Sequence, residues 1–156
     1  AIRKGLMASK TIYHHMKSLN ARMVKNYRRG IGPTRVVLLL TTTGRKSGLP
    51  RVTPLQYERV GSVYYVASAL GTQADWYKNI LADPHVHVEL QKAAFDALAE
   101  PVTDPERIAE FLELRLQRHP IMVRLIMHLA DHLPLRFKHD DLVKLAEGKA
   151  LVILHP

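Results

Sequence analysis

Residues 41–51, Thr-Thr-Thr-Gly-Arg-Lys-Ser-Gly-Leu-Pro-Arg, gather the groups an anion needs into one short stretch. Arg45, Lys46 and Arg51 bring three cations, and Thr43 and Ser47 bring hydroxyls. Gly44 and Gly48 tolerate φ > 0 and leave backbone N–H groups uncrowded. The chemistry such a turn performs is the holding of a phosphate or a carboxylate. Taken alone it also reads as a polar hairpin turn with solvated charges. The charge of the whole chain shifts the balance towards the anion.

The formal net charge is +9, yet the first acidic residue is Glu58. Residues 1–57 carry 12 Lys and Arg and no acid; the other 99 residues carry 11 basic and 14 acidic, so the two parts stand at +12 and −3. Basicity confined to one end implies a polyanionic partner: an anionic ligand, a nucleic acid or a membrane surface. Cysteine is absent, which excludes disulfides, thiolate nucleophiles and iron–sulfur ligation. The histidines make poor metal sites. His14 and His15 are adjacent and point to different faces of a helix, and His85 and His87 lie on the solvent side of a strand. His128 and His132 have a chelating i, i+4 spacing but lack the glutamate of a zinc protease motif. No metal is expected.

The elements that must position the turn follow from hydrophobic period. At 156 residues, 47% hydrophobic and 24% charged, the chain has material for one domain with a real core. No stretch reaches the ~20 apolar residues of a membrane span, and the N-terminus has no continuous signal core, so a cytoplasmic protein is expected. Residues 2–29 space Ile2, Leu6, Tyr13, Met16, Met23 and Tyr27 mostly three or four apart, an amphipathic helix with a basic outer face. Gly30, Gly32 and Pro33 end it. Strands are expected at 35–43, 51–59 and 62–68, with Pro54 at an edge or bulge because it lacks an N–H.

Asp75 caps a short helix, Asp-Trp-Tyr-Lys-Asn-Ile-Leu-Ala-Asp, stopped by Pro84. Strands over 85–91 and 93–102 come next. Asp104 and Glu106 then start a helix that runs to Arg118 with Ile108, Phe111, Leu112 and Leu116 inward. A very apolar helix over 121–133 reads as core, or as the lining of a substrate cavity. A helix over 141–147 and a closing strand over 150–154 finish the chain. The fold class is α+β: a split or closed barrel of about six mostly antiparallel strands, with an N-terminal amphipathic helix and C-terminal helices packed outside. It forms one domain over 1–156, built as helix (1–33), core strands with a short helix (34–102), then C-terminal helices and closing strand (103–156).

The run Val-Val-Leu-Leu-Leu-Thr-Thr-Thr-Gly-Arg-Lys-Ser-Gly-Leu-Pro-Arg-Val-Thr-Pro-Leu, with Ala-Ser-Ala-Leu-Gly and Asp-Trp-Tyr-Lys-Asn-Ile-Leu-Ala-Asp-Pro-His-Val-His-Val-Glu-Leu, resembles the deazaflavin-dependent nitroreductase family of split-barrel flavin and deazaflavin oxidoreductases. The resemblance spans Arg35 to about Glu100. It implies transfer of a hydride from the reduced deazaflavin coenzyme F420 to a small-molecule acceptor: a quinone, a nitro compound or an enone. It places the coenzyme's phosphate and glutamyl tail near Arg45, Lys46, Ser47 and Arg51. The same resemblance gives ring contacts to Val52, Thr53, Pro54, Leu55 and Gln56, to Ala67, Ser68 and Ala69, and to Asp75, Trp76, Tyr77 and Asn79. Similar proteins often carry a basic residue where Ala69 stands.

The residues suit such a ligand. A phosphodiester with a polycarboxylate tail needs clustered cations, and a flat ring needs apolar walls. Tyr13, Tyr27, Tyr57 and Trp76 are candidates for the acceptor pocket, and no catalytic acid or base is assigned. A related barrel using FMN is the alternative. A barrel binding single-stranded nucleic acid is disfavoured, because cations interleaved with aromatics on one strand face are lacking. The basic N-terminal helix suggests peripheral contact with an anionic membrane, and a homodimer is compatible with the sequence.

Overall fold

A computed structural model describes residues 17–68 and 71–156. The first described element is a helix over residues 17–28, α1, the C-terminal part of the amphipathic helix expected over 2–29; Tyr13, His14 and His15 lie outside the described residues. Six strands follow: β1 (Val37–Thr43), β2 (Pro50–Val60), β3 (Val63–Ser68), β4 (His85–Glu89), β5 (Ala94–Val102) and β6 (Ala150–His155). The helices α2 (Asp75–Ala82), α3 (Pro105–Arg118), α4 (Pro120–Asp131) and α5 (His139–Ala146) fall between them. Every strand pairing is antiparallel and the sheet closes in the order β1-β2-β3-β6-β5-β4. The expected α+β barrel is what the chain forms.

The apolar run Val37–Leu40 that opens β1 is explained by burial on both faces, which removes the alternation of a half-exposed strand. Leu38 and Leu40 enter the barrel core with Val66, Val88, Val152 and Leu154. Val37 and Leu39 face outward and pack under Val24 and Tyr27 of α1. A second core lies outside the barrel, where Ile108, Phe111 and Leu112 of α3 and Leu142 of α5 cover Leu151 and Ile153.

β2 changes partners along its length. Residues 50–56 pair with β1, through Leu39↔Pro54 for example, and residues 57–60 pair with β3, beginning at Tyr57↔Val66. The barrel is therefore split beside the first half of β2. Pro54 lies in the part that pairs with β1 alone, the edge position its missing N–H requires.

α3 is fastened across β2 by charge. Glu58, buried on the outer face, accepts from Arg118 Nη1 at 2.9 Å, pairs with His119 Nε2 at 3.1 Å, and has Arg115 Nε at 3.7 Å. At the other end of α3, the His139 ring bridges Glu113 and Glu106. Those hydrogen bonds, Glu113 first and Glu106 second, push its pKa from 6.5 up to about 9. A raised histidine pKa means stabilisation that is full below pH ~6.5 and is lost as the pH rises through about 9. Thermal midpoints are expected to fall across that window, and His139→Gln is expected to flatten the fall; an equally steep profile in the variant would exclude His139 as its source.

Two expectations are corrected. Asp75 is the first residue of α2, and Ala74, which offers no side-chain bond, is the N-cap. The helix expected over 121–133 is neither core nor enclosed lining: only Val123 and Met127 of α4 are buried, while Ile121 is 83% and Leu129 67% exposed. Composition marked it as buried because periodicity within so apolar a run shows no polar face.

Candidate functional site

The cationic turn joins β1 to β2, and its shape is set by backbone bonds. Gly44 N–H donates to the Leu49 carbonyl at 2.8 Å, and Gly48 N–H donates to the Gly44 carbonyl at 2.8 Å. Gly48 has φ +68°, a left-handed conformation that favours glycine. A Cβ on Gly44 would stand 2.7 Å from Ser47 Oγ and 3.1 Å from the Leu49 carbonyl oxygen. The turn therefore closes tightly only with glycine there. Ser47 Oγ accepts from Leu49 N–H at 3.2 Å and from Arg51 Nη2 at 3.4 Å. Lys46 and Arg51 are exposed, and neither has a carboxylate partner among the described residues.

Helix α2 clamps this turn. Asn79, 4% exposed, accepts from Arg45 N–H at 3.2 Å and from Arg45 Nη1 at 2.9 Å, and donates through Nδ2 to Thr42 Oγ1 at 3.1 Å. Arg45 Nη2 also donates to Asp75 Oδ1 at 3.1 Å. Three residues proposed as coenzyme contacts, Arg45, Asp75 and Asn79, are thus already engaged with one another and fix the turn, while Ser47 is bonded to Leu49 and Arg51 within it. The cations left facing solvent are Lys46 and Arg51.

Strand alternation divides the residues expected around a ring. Pairing with Leu39 and Thr41 puts Pro54 and Val52 on the outer face, and Gln56 shares that face opposite Val37. Thr53 and Leu55 stand opposite Leu40 and Leu38 and so face the interior. A cleft of about 80 Å³ opens beside the outer set, lined by Met23, Asn26 and Tyr27 of α1 together with Val37 and Pro54. Arg115 of α3 borders the outer face from the other side, donating to Gln56 Oε1 at 3.1 Å. Ala67 is exposed, and Ser68 is buried with a hydroxyl that finds no partner among the described residues. Ala69 lies outside the described residues.

The four pocket candidates do not come together. Tyr27 lines the cleft, its hydroxyl donating to the Glu89 carbonyl over a long 3.4 Å, and burial pushes its phenol pKa up. Tyr57 turns inward near the barrel end opposite the cationic turn and donates to the Arg35 carbonyl at 3.4 Å. Burial pushes the phenols of Tyr57 and Tyr77 up as well. Trp76 is 7% exposed and sits in the barrel core, its ring 6.2 Å from that of Tyr77 in an edge-on arrangement. It is a core residue in this structure. Tyr13 lies outside the described residues. Sequence reasoning missed Met23, Asn26 and Arg115 as neighbours of the groove, and only α1's period, which places 23, 26 and 27 on one side, hinted at the first two.

Fold and site together define a class: a six-stranded antiparallel barrel, split along its second strand, with a cationic turn at one end of its first hairpin and a small apolar cleft under α1 beside Val37 and Pro54. Comparison with known proteins agrees. The model of the F420H(2)-dependent quinone reductase family matches residues 10–134. The chain belongs to that family.

A F420H(2)-dependent quinone reductase of Mycobacterium tuberculosis strain H37Rv is 38% identical over 74 residues, which are 44% of this chain and 50% of that protein. The match therefore spans about half the length of that relative. Among solved structures, an F420-H2 dependent reductase superposes with TM-score 0.51 at 23% identity, covering 76% of this chain and 94% of that one. A structure described as a domain-swapped dimer superposes with TM-score 0.54 at 21% identity, covering 92% and 98%. At such identities the likeness establishes the fold.

Proposed function

We propose that this protein is an oxidoreductase that uses reduced F420 to reduce a small quinone-type molecule, with nitro compounds and enones as further acceptors of the same reactivity. The observation that carries the reading is the pinned turn: Lys46 and Arg51 are two exposed cations without carboxylate partners among the described residues, held on the hairpin whose outer face also borders, at Pro54, an apolar cleft. The donor set fits an anionic tail, and Ser68 holds a buried hydroxyl still lacking a partner among the described residues.

In this reading Lys46 and Arg51 bind the phosphate and carboxylates of the coenzyme through charge-assisted hydrogen bonds. Ser47 orients Arg51. Val52 and Pro54 form the apolar wall and Tyr27 its cover, so that water is excluded where the acceptor meets the ring. When bound, the coenzyme supplies the hydride, and the residues supply position. Tyr27 keeps its proton because burial disfavours the phenolate, and its single O–H, held in a long bond to the Glu89 carbonyl, exchanges that weak partner for an acceptor oxygen when one is bound. The basic face of α1, with Lys17, Arg22, Lys25 and Arg29, is proposed as a contact for an anionic membrane; Arg28 is engaged with Glu89 at 2.8 Å.

The test is titration of the protein with F420 and separately with FMN, followed by fluorescence polarisation, then anaerobic mixing of the F420H2 complex with a soluble quinone. Saturable F420 binding and quinone-dependent oxidation are expected. Tight FMN binding with none of F420 would overturn the reading.

A further inference from the structure

Helix α4 presents an apolar face for which no partner is found among the described residues. Ile121 (83% exposed), Leu125 (51%) and Leu129 (67%) form one row at i, i+4, i+8, and Met122 (49%) and Ile126 (49%) form the adjacent row. The spacing makes this a single stripe on the side of the helix away from Val123 and Met127, which anchor it to the protein. In the following loop Leu135 is exposed as well. An exposed stripe of this kind marks an interaction surface.

The charges around the stripe indicate the occupant. From Arg124 to Lys138 the chain holds Arg124, Arg136 and Lys138 against a single acid, Asp131, with His128 and His132 besides; Arg118 and His119 are engaged by Glu58, and Asp140 and Asp141 follow at the start of α5. Asp131 is already paired with Lys149 at 3.1 Å. Arg124 donates to the Leu135 carbonyl at 2.7 Å, and its guanidinium lies 5.1 Å from the centre of the Phe137 ring, with no carboxylate partner among the described residues. Beside the stripe, Arg124, Phe137, Lys138 and His139 border an open cleft of about 310 Å³ between α3 and α5. Glu113 and Glu106 face that cleft's histidine and are engaged by it.

We infer that α4 is an interfacial helix that lies flat on an anionic phospholipid bilayer, with Ile121, Met122, Leu125, Ile126 and Leu129 entering the headgroup–acyl boundary while Arg124 and Lys138 meet lipid phosphates. An amphipathic helix with an apolar face and cationic flanks binds in this way, at a depth of ~5–10 Å. A second copy of the chain fits less well. Five side chains along one short helix fall short of the ~800 Å² per partner that a stable interface buries, and an isologous contact would bring the cationic flanks of two copies together.

The experiment is co-sedimentation of the full chain, without coenzyme, with vesicles of phosphatidylglycerol and phosphatidylcholine and with vesicles of phosphatidylcholine alone, at low and high salt. The variants are Leu125→Glu/Leu129→Glu, which alter exposed positions, and Lys17→Glu/Arg22→Glu on α1. Binding to the anionic vesicles, weakened by salt and reduced at least tenfold by the α4 variant with its circular dichroism unchanged, is the expected result.

No sedimentation with anionic vesicles at low salt would overturn the inference. So would an α4 variant that binds as the parent does while the α1 variant does not, since α1 would then be the contact. Sedimentation velocity supplies the other arm: a parent dimer that the α4 variant converts to monomer, without vesicle binding, would assign the stripe to a second copy. Because coenzyme takes no part, failure here leaves the proposed reductase activity untouched.

Discussion

Trp76→Ala is expected to destabilise the protein by about 3–5 kcal/mol, the usual cost of emptying an aromatic core site, and to lower the thermal midpoint by roughly 10 °C. The ring is 7% exposed and packs within the barrel core that also contains Tyr77, Ile80 and Val86. It is also the only tryptophan, so unfolding must be followed by circular dichroism rather than intrinsic tryptophan emission. A loss below about 1 kcal/mol would mean that the ring is not part of the core. Any fall in turnover would then have to be separated from loss of folded protein. Trp76→Phe, which keeps an aromatic ring, serves that purpose.

Removing both free cations, Lys46→Ala/Arg51→Ala, is expected to weaken F420 binding about 100-fold or more with the melting temperature nearly unchanged. Each charge-assisted contact is worth ~1.5–3 kcal/mol, and ~1.4 kcal/mol is tenfold in affinity. Both side chains are exposed and unpaired with acids among the described residues, so the folded protein loses little without ligand. Arg45→Ala is the informative contrast. It removes the guanidinium bonds to Asp75 and Asn79 and leaves Asn79 Oδ1 only the residue-45 backbone N–H, so its effect on affinity comes with a loss of stability. Fluorescence titration of F420 beside thermal unfolding of each variant reads both quantities, and an unchanged dissociation constant in the double variant would remove the turn from the site.

Much of this architecture could be read from period and punctuation. Alternation at Val86 and Val88 placed β4, Asp104 with Glu106 placed the start of α3, and Gly148 marked the end of α5. The anion turn was legible because glycines, hydroxyls and cations are crowded into one stretch. What stayed hidden were relations between distant residues. Nothing local tells that Arg45 is neutralised by Asp75, or that Glu58 gathers Arg115, Arg118 and His119 across some sixty positions. The face on which a strand residue falls depends on register, so Val52 and Thr53 were taken together although one looks outward and the other inward. α4 was misread for a related reason: hydrophobic content reports what a helix avoids, and the neighbours alone decide whether it is covered.

The clamp of Asn79 on the first hairpin has a thermodynamic consequence. A free loop that must close around an anion loses conformational freedom at the moment of binding, and part of the contact energy is consumed in ordering it. Here the ordering happens during folding, because Asn79 ties Thr42, the Arg45 amide and the Arg45 guanidinium into one rigid corner before any ligand arrives. The entropy of association at this corner is then governed by released water and counter-ions rather than by chain, and among the described residues of the turn it is the exposed side chains of Lys46 and Arg51 that are left to freeze.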